Sequence, residues 1–440
     1  MKTINVSKIS YDNPSGTGTI NIVDSSDGSS TLNIDLRTIL PFANLVNKDV
    51  LDFFTLSAAV YGIDRFVERK QNSVDGWSRE LKVTFPVHNP SKWNACKVEL
   101  NGLLSFLTGD YWDVEFRKET FDVPKVTLDK EYLVPFEQVN LLSGGLDSLI
   151  GALDFLKQNP KQNILFVSHY DPQMHGPMSD QKDLISEIQK VYPGQFAYIP
   201  SLRVSLERTN VKRETTLRSR SLLFLGIALV ASQATNTQSI IVPENGTVSL
   251  NFPLSASRRS SCSTRTTHPF VLENVLSIWK ILSITTDIRN PYEFQTKGEM
   301  VNGCKDQPNL SKLVKMSNSC GKRGHRAHWE KPRASHCGVC MPCIYRQASL
   351  MKITDETTYG NTINSLAPFL SKKSQDVGAC LDFLNYSVSK EEIKQELIVN
   401  GVKNLSKLNQ YVEVVWRTRE ELKLWIKKVG NSTVKTKAGI

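Results

Sequence analysis

The sequence predicts an α/β fold: a parallel sheet with flanking helices and a zinc-binding lobe, preceded by an α+β N-terminal domain and followed by a helical tail. Three observations carry that prediction. The hexapeptide Ser143-Gly144-Gly145-Leu146-Asp147-Ser148 follows the apolar run 139–142 and opens the helical pattern Leu149, Ile150, Leu153, Leu156. From residue 139 onward, short apolar runs alternate with helix-like stretches, as in a parallel sheet with crossover helices. Four of the eight cysteines, Cys320, Cys337, Cys340 and Cys343, crowd into one segment, which in a reducing compartment points to metal rather than to disulfides.

Residues 1–125 read as the strand-rich N-terminal domain. Ile4/Val6, Ile20/Ile22, Leu32/Ile34/Leu36 and Trp112/Val114/Phe116 alternate with period two, and Asp27-Gly28 sits between two such runs like a hairpin turn. Between them, 50–66 and 93–107 carry helical apolar spacing. No catalytic constellation stands out in this region, so its expected role is structural or the docking of a partner. The segment 121–136, with Pro124 and Pro135 and mixed charges, reads as a linker. The second domain, 136–350, has expected strands at 139–142, 164–167, 196–199 and 239–242. Helices are expected at 179–191, 215–234 and 271–282, with a strand-like 284–286 after the last. Residues 351–440 read as a helical extension whose basic stretch, 423–437, is expected to be solvated or frayed.

At 440 residues the chain has material for two or three domains, and its net charge of +10 favours anionic partners: nucleic acid, nucleotides or small carboxylates. The longest apolar run, 222–231, is too short to span a bilayer. The first ten residues alternate like a strand rather than forming a signal peptide's apolar core. A cytoplasmic location, with no membrane partner, is the expectation.

A strand, a glycine turn and a helix start together make an anion cradle. Glycines let the backbone approach an oxyanion, serines offer hydroxyl donors, and the helix N-terminus presents free N–H groups. No lysine follows the glycines, so this is not the loop that holds β- and γ-phosphates for terminal phosphoryl transfer. It resembles instead the PP-loop of ATP pyrophosphatases, which hold pyrophosphate while the α-phosphorus is attacked. The run Cys337-Gly-Val-Cys340-Met-Pro-Cys343, with Cys320 upstream, suits a closed and therefore structural zinc site. An iron–sulfur motif would need a further cysteine and proline, where Arg346 and Gln347 stand. His325, His328 and His336 are substitute ligands, His336 first among them. A nucleic-acid-binding zinc ribbon is the alternative that Lys322, Arg323, Arg326, Lys331 and Arg333 support.

The loop, the segment Leu217-Arg-Ser-Arg220-Ser-Leu-Leu-Phe224 and the four cysteines followed by Arg346 together resemble the 7-cyano-7-deazaguanine synthase family of the queuosine pathway, over residues 138–350. The resemblance implies ATP, Mg2+ and Zn2+ as cofactors. It implies that Ser143, Gly144, Gly145, Leu146, Asp147 and Ser148 bind pyrophosphate, with Asp147 the magnesium contact. Arg220 matches the arginine of the family's G-R-N helix start, although Ser219 and Ser221 replace its neighbours. Its implied role is to bind phosphate or substrate carboxylate, and its other reading is a solvated helix-face charge.

The chain departs from the family in two places. Where the family has an aspartate-containing loop that recognises the deazaguanine, Pro243-Glu244-Asn245-Gly246 stands, followed by Arg258, Arg259 and Arg265-Thr266-Thr267-His268. Glu244 is expected to accept hydrogen bonds from a guanine-like edge in that aspartate's place, the other reading being an exposed turn glutamate. The additional terminal segments resemble the deazaguanine-synthase-like subunits of bacterial anti-phage systems, particularly the Qat type. That likeness implies adenylation of a 7-carboxy-7-deazaguanine-like carboxylate and transfer to an amine, either ammonia or the N-terminus of a partner protein. Two alternatives stand beside it: a PP-loop enzyme that adenylates a tRNA base, supported by the basic stretches 203–220 and 305–333, and a non-catalytic nucleotide sensor in a defence complex.

Overall fold

Period-two alternation at the N-terminus produces strands. β1 (Lys2–Val6), β2 (Ser10–Asp12), β3 (Thr17–Asp24) and β4 (Gly28–Asp35) are followed by α1 (Lys48–Phe66), β5 (Glu80–Val87), α2 (Lys97–Thr108) and β6 (Tyr111–Lys118). The computed structural model describes residues 1–26, 28–173, 177–207, 213–255, 265–366 and 375–440. β3 and β4 pair antiparallel, with Asp24 opposite Gly28. Asp27, half of the expected hairpin turn, lies outside the described residues. The expected helix 93–107 is instead two helices, Pro90–Asn94 and Lys97–Thr108, broken at Ala95-Cys96.

The second region contains β7 (Gln138–Leu141), α3 (Leu146–Gln158), β8 (Ile164–Val167), β9 (His169–Tyr170), α4 (Pro177–Val191), β10 (Phe196–Tyr198), β11 (Leu202–Leu206), α5 (Arg220–Ala234), β12 (Ser239–Ile241), α6 (Pro269–Ile281), β13 (Asp287–Arg289) and α7 (Lys297–Asn302). Five of these strands form a sheet in the order β10-β8-β7-β12-β13, and every neighbouring pair is parallel. Chain order runs outward from β7 through β8 to β10, then jumps back to β12 and on to β13. The connections therefore reverse direction between β7 and β12, and in such sheets ligands bind in the crevice at the carboxyl ends of the two strands flanking that reversal.

β9 and β11 leave this sheet and complete the N-terminal one, whose order is β6-β5-β1-β3-β4-β11-β9 with β2 on β3. β11 pairs antiparallel with β4 and covers what would otherwise be an open edge. Helix α1 is buried on nearly every side because it lies between that sheet and α5. The helices approach closely at Gly226, where a Cβ would come 2.2 Å from Ser57 Oγ. One apolar cluster holds Ile22, Phe54 and Leu56 together with Leu222 and Leu225. Residues 1–125 thus share a sheet and a core with the region beyond the linker. Periodicity shows that α1 is apolar all round but not what covers its second face.

Helix α5 starts at Arg220 rather than at 215, and side chains take backbone donors at 215, 216 and 219. Glu214 accepts from Thr215 N and Thr216 N, both at 2.9 Å, and Asp64 Oδ2 accepts from Ser219 N at 3.3 Å and from its Oγ at 3.0 Å. Asp64 Oδ1 accepts from Arg79 at 2.7 Å and Arg69 at 3.3 Å, and Asp110 pairs with both arginines. All four charged groups are buried. Asp64→Asn would leave the guanidinium groups under-neutralised, so chemical denaturation of the variant is expected to show a loss of about 3–5 kcal/mol. The last strand begins at 287, three residues after the expected start: Ser283 adopts φ +60° and Ile284 N donates to Trp279 O at 2.8 Å, which closes the end of α6.

Helix α8 (Met341–Ser349) is capped by Cys340 and carries Cys343 in its first turn, and α9 (Leu405–Val429) is the longest described element of the C-terminal extension. Residues 423–437 are helical for most of their length, with Trp425, Ile426 and Val434 buried in the same apolar cluster as Cys340 and Cys343. The basic stretch is therefore not frayed. Among the described residues no helix is long and apolar enough to cross a membrane.

Candidate functional site

The hexapeptide lies at the carboxyl end of β7. Gly144 has φ +86°, a left-handed conformation that an L side chain resists, and Gly145 is the N-cap of α3 with no side-chain cap of its own. The first N–H groups of α3 are thus left without the usual capping oxygen. Ser143 Oγ lies 3.3 Å from Ser148 Oγ and accepts from Gly145 N at 3.3 Å, which ties the two serines across the turn.

Asp147 points into the protein. Its Oδ1 accepts from Lys297 Nζ at 2.5 Å and its Oδ2 from Asn245 Nδ2 at 2.7 Å. Burial opposes ionisation of Asp147, but the Lys297 ammonium and hydrogen bonds from its neighbours outweigh it and hold the carboxyl below the usual range. Glu244, just after β12, shows the reverse: burial first and the Asp147 charge second push its carboxyl well above the usual range. Of the two, Asp147 is the carboxyl whose charged form the site favours, and it is the one that faces the Lys297 ammonium. Lys297 opens α7, whose Thr296/Glu299 capping box fixes the helix start. Helix α9 buttresses this corner: Glu421 accepts from Gly298 N at 3.3 Å, and Thr418 bonds Thr247 at 2.6 Å.

A cavity of about 300 Å³ opens at the reversal between β7 and β12. Its lining includes Ser143, Ser148, Arg220, Ser221, Phe224, Glu244, Thr266 and Thr267. Three separated sequence features, the serines of the loop, the arginine of α5 and the glutamate after β12, therefore meet at one space. Asp147 is not part of that wall. Arg220 sits over the Phe224 ring and donates to His169 O at 3.3 Å, while its Nε is buried with no hydrogen-bond partner. Burial lowers its pKa, and Tyr61 and Asp171 oppose that. Arg220 is thus neither a solvated surface charge nor half of an ion pair among the described residues. Ser221 Oγ and Thr267 Oγ1 are likewise buried and unbonded. Arg258 and Arg259, together with residues 208–212 of the basic stretch 203–220, lie outside the described residues.

The sulfurs of Cys320, Cys337, Cys340 and Cys343 all lie within 4.8 Å of one another, a group able to hold a metal ion such as zinc. Cys337 and Cys343 Sγ are 3.8 Å apart, the spacing expected around a tetrahedral centre with bonds of about 2.3 Å. Backbone donors already face the sulfurs: Cys340 N reaches Cys337 Sγ and Cys337 N reaches Cys320 Sγ, both at 3.2 Å. Gly338, at φ +82°, allows this turn, since a Cβ there would strike Asn361 O. His336 lies outside the sulfur group. Burial pushes its imidazole down to about 3, and the neutral ring's Nε2 accepts from Ser319 N at 3.4 Å. The adjoining residue completes a link to the loop, Asn318 N donating to Gly144 O at 2.8 Å.

Sequence reading missed Lys297, Asn245 and Asn318. The Thr296-x-x-Glu299 spacing marks a helix start, but nothing local says which carboxylate the lysine inside it will meet. A second group able to hold a metal, Asp49, Asp52 and His88, stands in the N-terminal region. There Lys92 Nζ lies 2.5 Å from Asp49 and supplies the positive charge itself. Comparison with family models, curated proteins and solved structures found no match to the chain.

Proposed function

We propose that the protein is an ATP pyrophosphatase of the PP-loop type that adenylates a carboxylate resembling 7-carboxy-7-deazaguanine. The activated acyl group then passes to an amine, either ammonia or the N-terminus of a partner protein, within a bacterial anti-phage system. The observation that carries this reading is the cavity at the β7/β12 reversal, where loop serines, an arginine with no ion pair among the described residues and a glutamate whose carboxyl is pushed well above its usual range face one space. ATP, when bound, supplies the activation: it turns a carboxylate oxygen into a leaving group as pyrophosphate departs.

The chain's own residues account for the rest. The α3 N-terminus, Gly145 N–H, Ser143 and Ser148 would hold departing phosphate oxygens with donors fixed before the reaction begins. Arg220 would neutralise an anionic group on the substrate or the α-phosphate, and Glu244 would receive or donate a hydrogen bond at the heterocycle's edge. The four cysteines would hold Zn2+ as a structural ion. The residues do not offer Mg2+ a free oxygen at Asp147, because both oxygens already carry protein donors. No step is therefore assigned to metal at that carboxylate.

The test is to incubate the protein with ATP and 7-carboxy-7-deazaguanine, with and without ammonia or candidate acceptor proteins, and to follow nucleotides. AMP and pyrophosphate dependent on the carboxylate are expected. ADP as the product, or turnover needing only tRNA, would replace this reading. The tRNA alternative draws on one observation, the exposed His325, Lys331 and Arg333 of the cysteine lobe.

A further inference from the structure

We infer that Lys297 is a resident cation at Asp147, filling the place where the family resemblance would seat magnesium, so that no divalent ion is held at that carboxylate. Asp147 is 7% exposed and both of its oxygens are engaged, one by the Lys297 ammonium and one by the Asn245 amide. A Mg2+ ion demands near-octahedral oxygen ligation and keeps several waters, and neither is available at an oxygen closed by an ammonium. Lys297 is not a mobile surface side chain: it is 4% exposed and the first residue of a capped helix, whose next residue, Gly298, donates its N–H to Glu421.

Lys297 acts in this arrangement as a positioning residue. It keeps Asp147 ionised, Asp147 fixes Asn245, and Asn245 Oδ1 caps the turn after Glu244 by accepting from Val248 N at 3.1 Å. The same device appears at Asp49, where Lys92 supplies the cation. The inference shares its site with the reading above and needs only the geometry of that site. Its test contains no nucleotide, so a negative result leaves the adenylation assay to be decided separately.

The experiment titrates Mn2+ into the nucleotide-free full-length protein, follows the free ion by electron paramagnetic resonance, and records melting temperature alongside. Asp147→Asn is expected to bind Mn2+ within about twofold of the parent. Lys297→Met orphans a buried carboxylate, so its melting temperature is expected to fall by about 5 °C and its Mn2+ affinity to rise at least about tenfold. The double variant Asp147→Asn/Lys297→Met should regain most of the lost melting temperature and lose the extra Mn2+ binding. A lysine that only packs would show neither recovery nor a new ion site. The inference fails if Asp147→Asn loses about tenfold in Mn2+ affinity, or if Lys297→Met gains none. Should Lys297→Met not fold, Lys297→Arg is expected to keep the parent's melting temperature, and Asp147→Asn alone decides whether an ion is held at that carboxylate.

Discussion

Replacing Cys340 by serine, or stripping metal from the four-cysteine centre, is expected to unfold the C-terminal half of the molecule and to weaken nucleotide binding at the adjoining loop. The sulfurs of this centre sit in an apolar cluster with Trp329, Ile344, Val377, Leu422 and Trp425. Four thiolates gathered there repel one another unless a cation lies among them, and structural zinc in small domains supplies about 10–16 kcal/mol of apparent folding energy. Even a fraction of that exceeds the margin by which a typical domain is stable. The loss should reach the phosphate loop along a short path, because Cys320 N donates to Asn318 Oδ1 at 2.9 Å and Asn318 N to Gly144 O at 2.8 Å. Metal analysis of the native protein should give about one zinc per chain. Calorimetry with a non-hydrolysable ATP analogue should then show affinity at least about tenfold weaker in Cys340→Ser, one decade being about 1.4 kcal/mol. Native protein free of metal, with an unchanged melting curve in Cys340→Ser, would show that the sulfurs are a packing cluster and not a metal centre.

Parts of this arrangement are legible in the sequence for a physical reason. The serine-glycine loop, the cysteine run and the strand at 139–142 are local patterns in which spacing alone dictates a turn, a ligand set or a buried edge. The expected helix 215–234 and strand 284–286 were misplaced by three to five residues because their boundaries are set by tertiary partners: Asp64 at Ser219 and the turn at Ser283. The larger miss concerns residues 1–125. Nothing in the alternation of β4 reveals that β11, far along the chain, will pair with it, nor that α1 will bury its second face on α5. Lys297 belongs to the same class, since a salt bridge across 150 positions leaves no local periodic trace. The convergence of Ser143, Arg220 and Glu244 was anticipated only through resemblance, and the strand order that brings them together is a property of the folded sheet.

Arg220→Met is expected to abolish catalysis while leaving the protein as stable as before or more so. Most buried charges hold a fold together because they are paired, as Asp64 is with Arg79, and removing one partner is costly. Arg220 is different: it has a backbone carbonyl at 3.3 Å, an aromatic ring beneath it and a buried Nε with no acceptor. A guanidinium in that setting costs desolvation energy that the native contacts only partly repay. Methionine keeps the aliphatic stem against Phe224 and removes the cost, so denaturation should shift by no more than about 1 kcal/mol in either direction, with stabilisation the favoured sign. In the proposed reaction the same guanidinium meets developing or transferred negative charge, and losing such a group typically costs about 100- to 1,000-fold in rate. AMP formation and thermal denaturation measured on one preparation therefore separate two roles. A large fall in rate with an unchanged or raised melting temperature assigns Arg220 to an anionic ligand. A parallel fall in both would make it a structural residue, and the cavity would then lose the group on which its preference for carboxylate or phosphate rests.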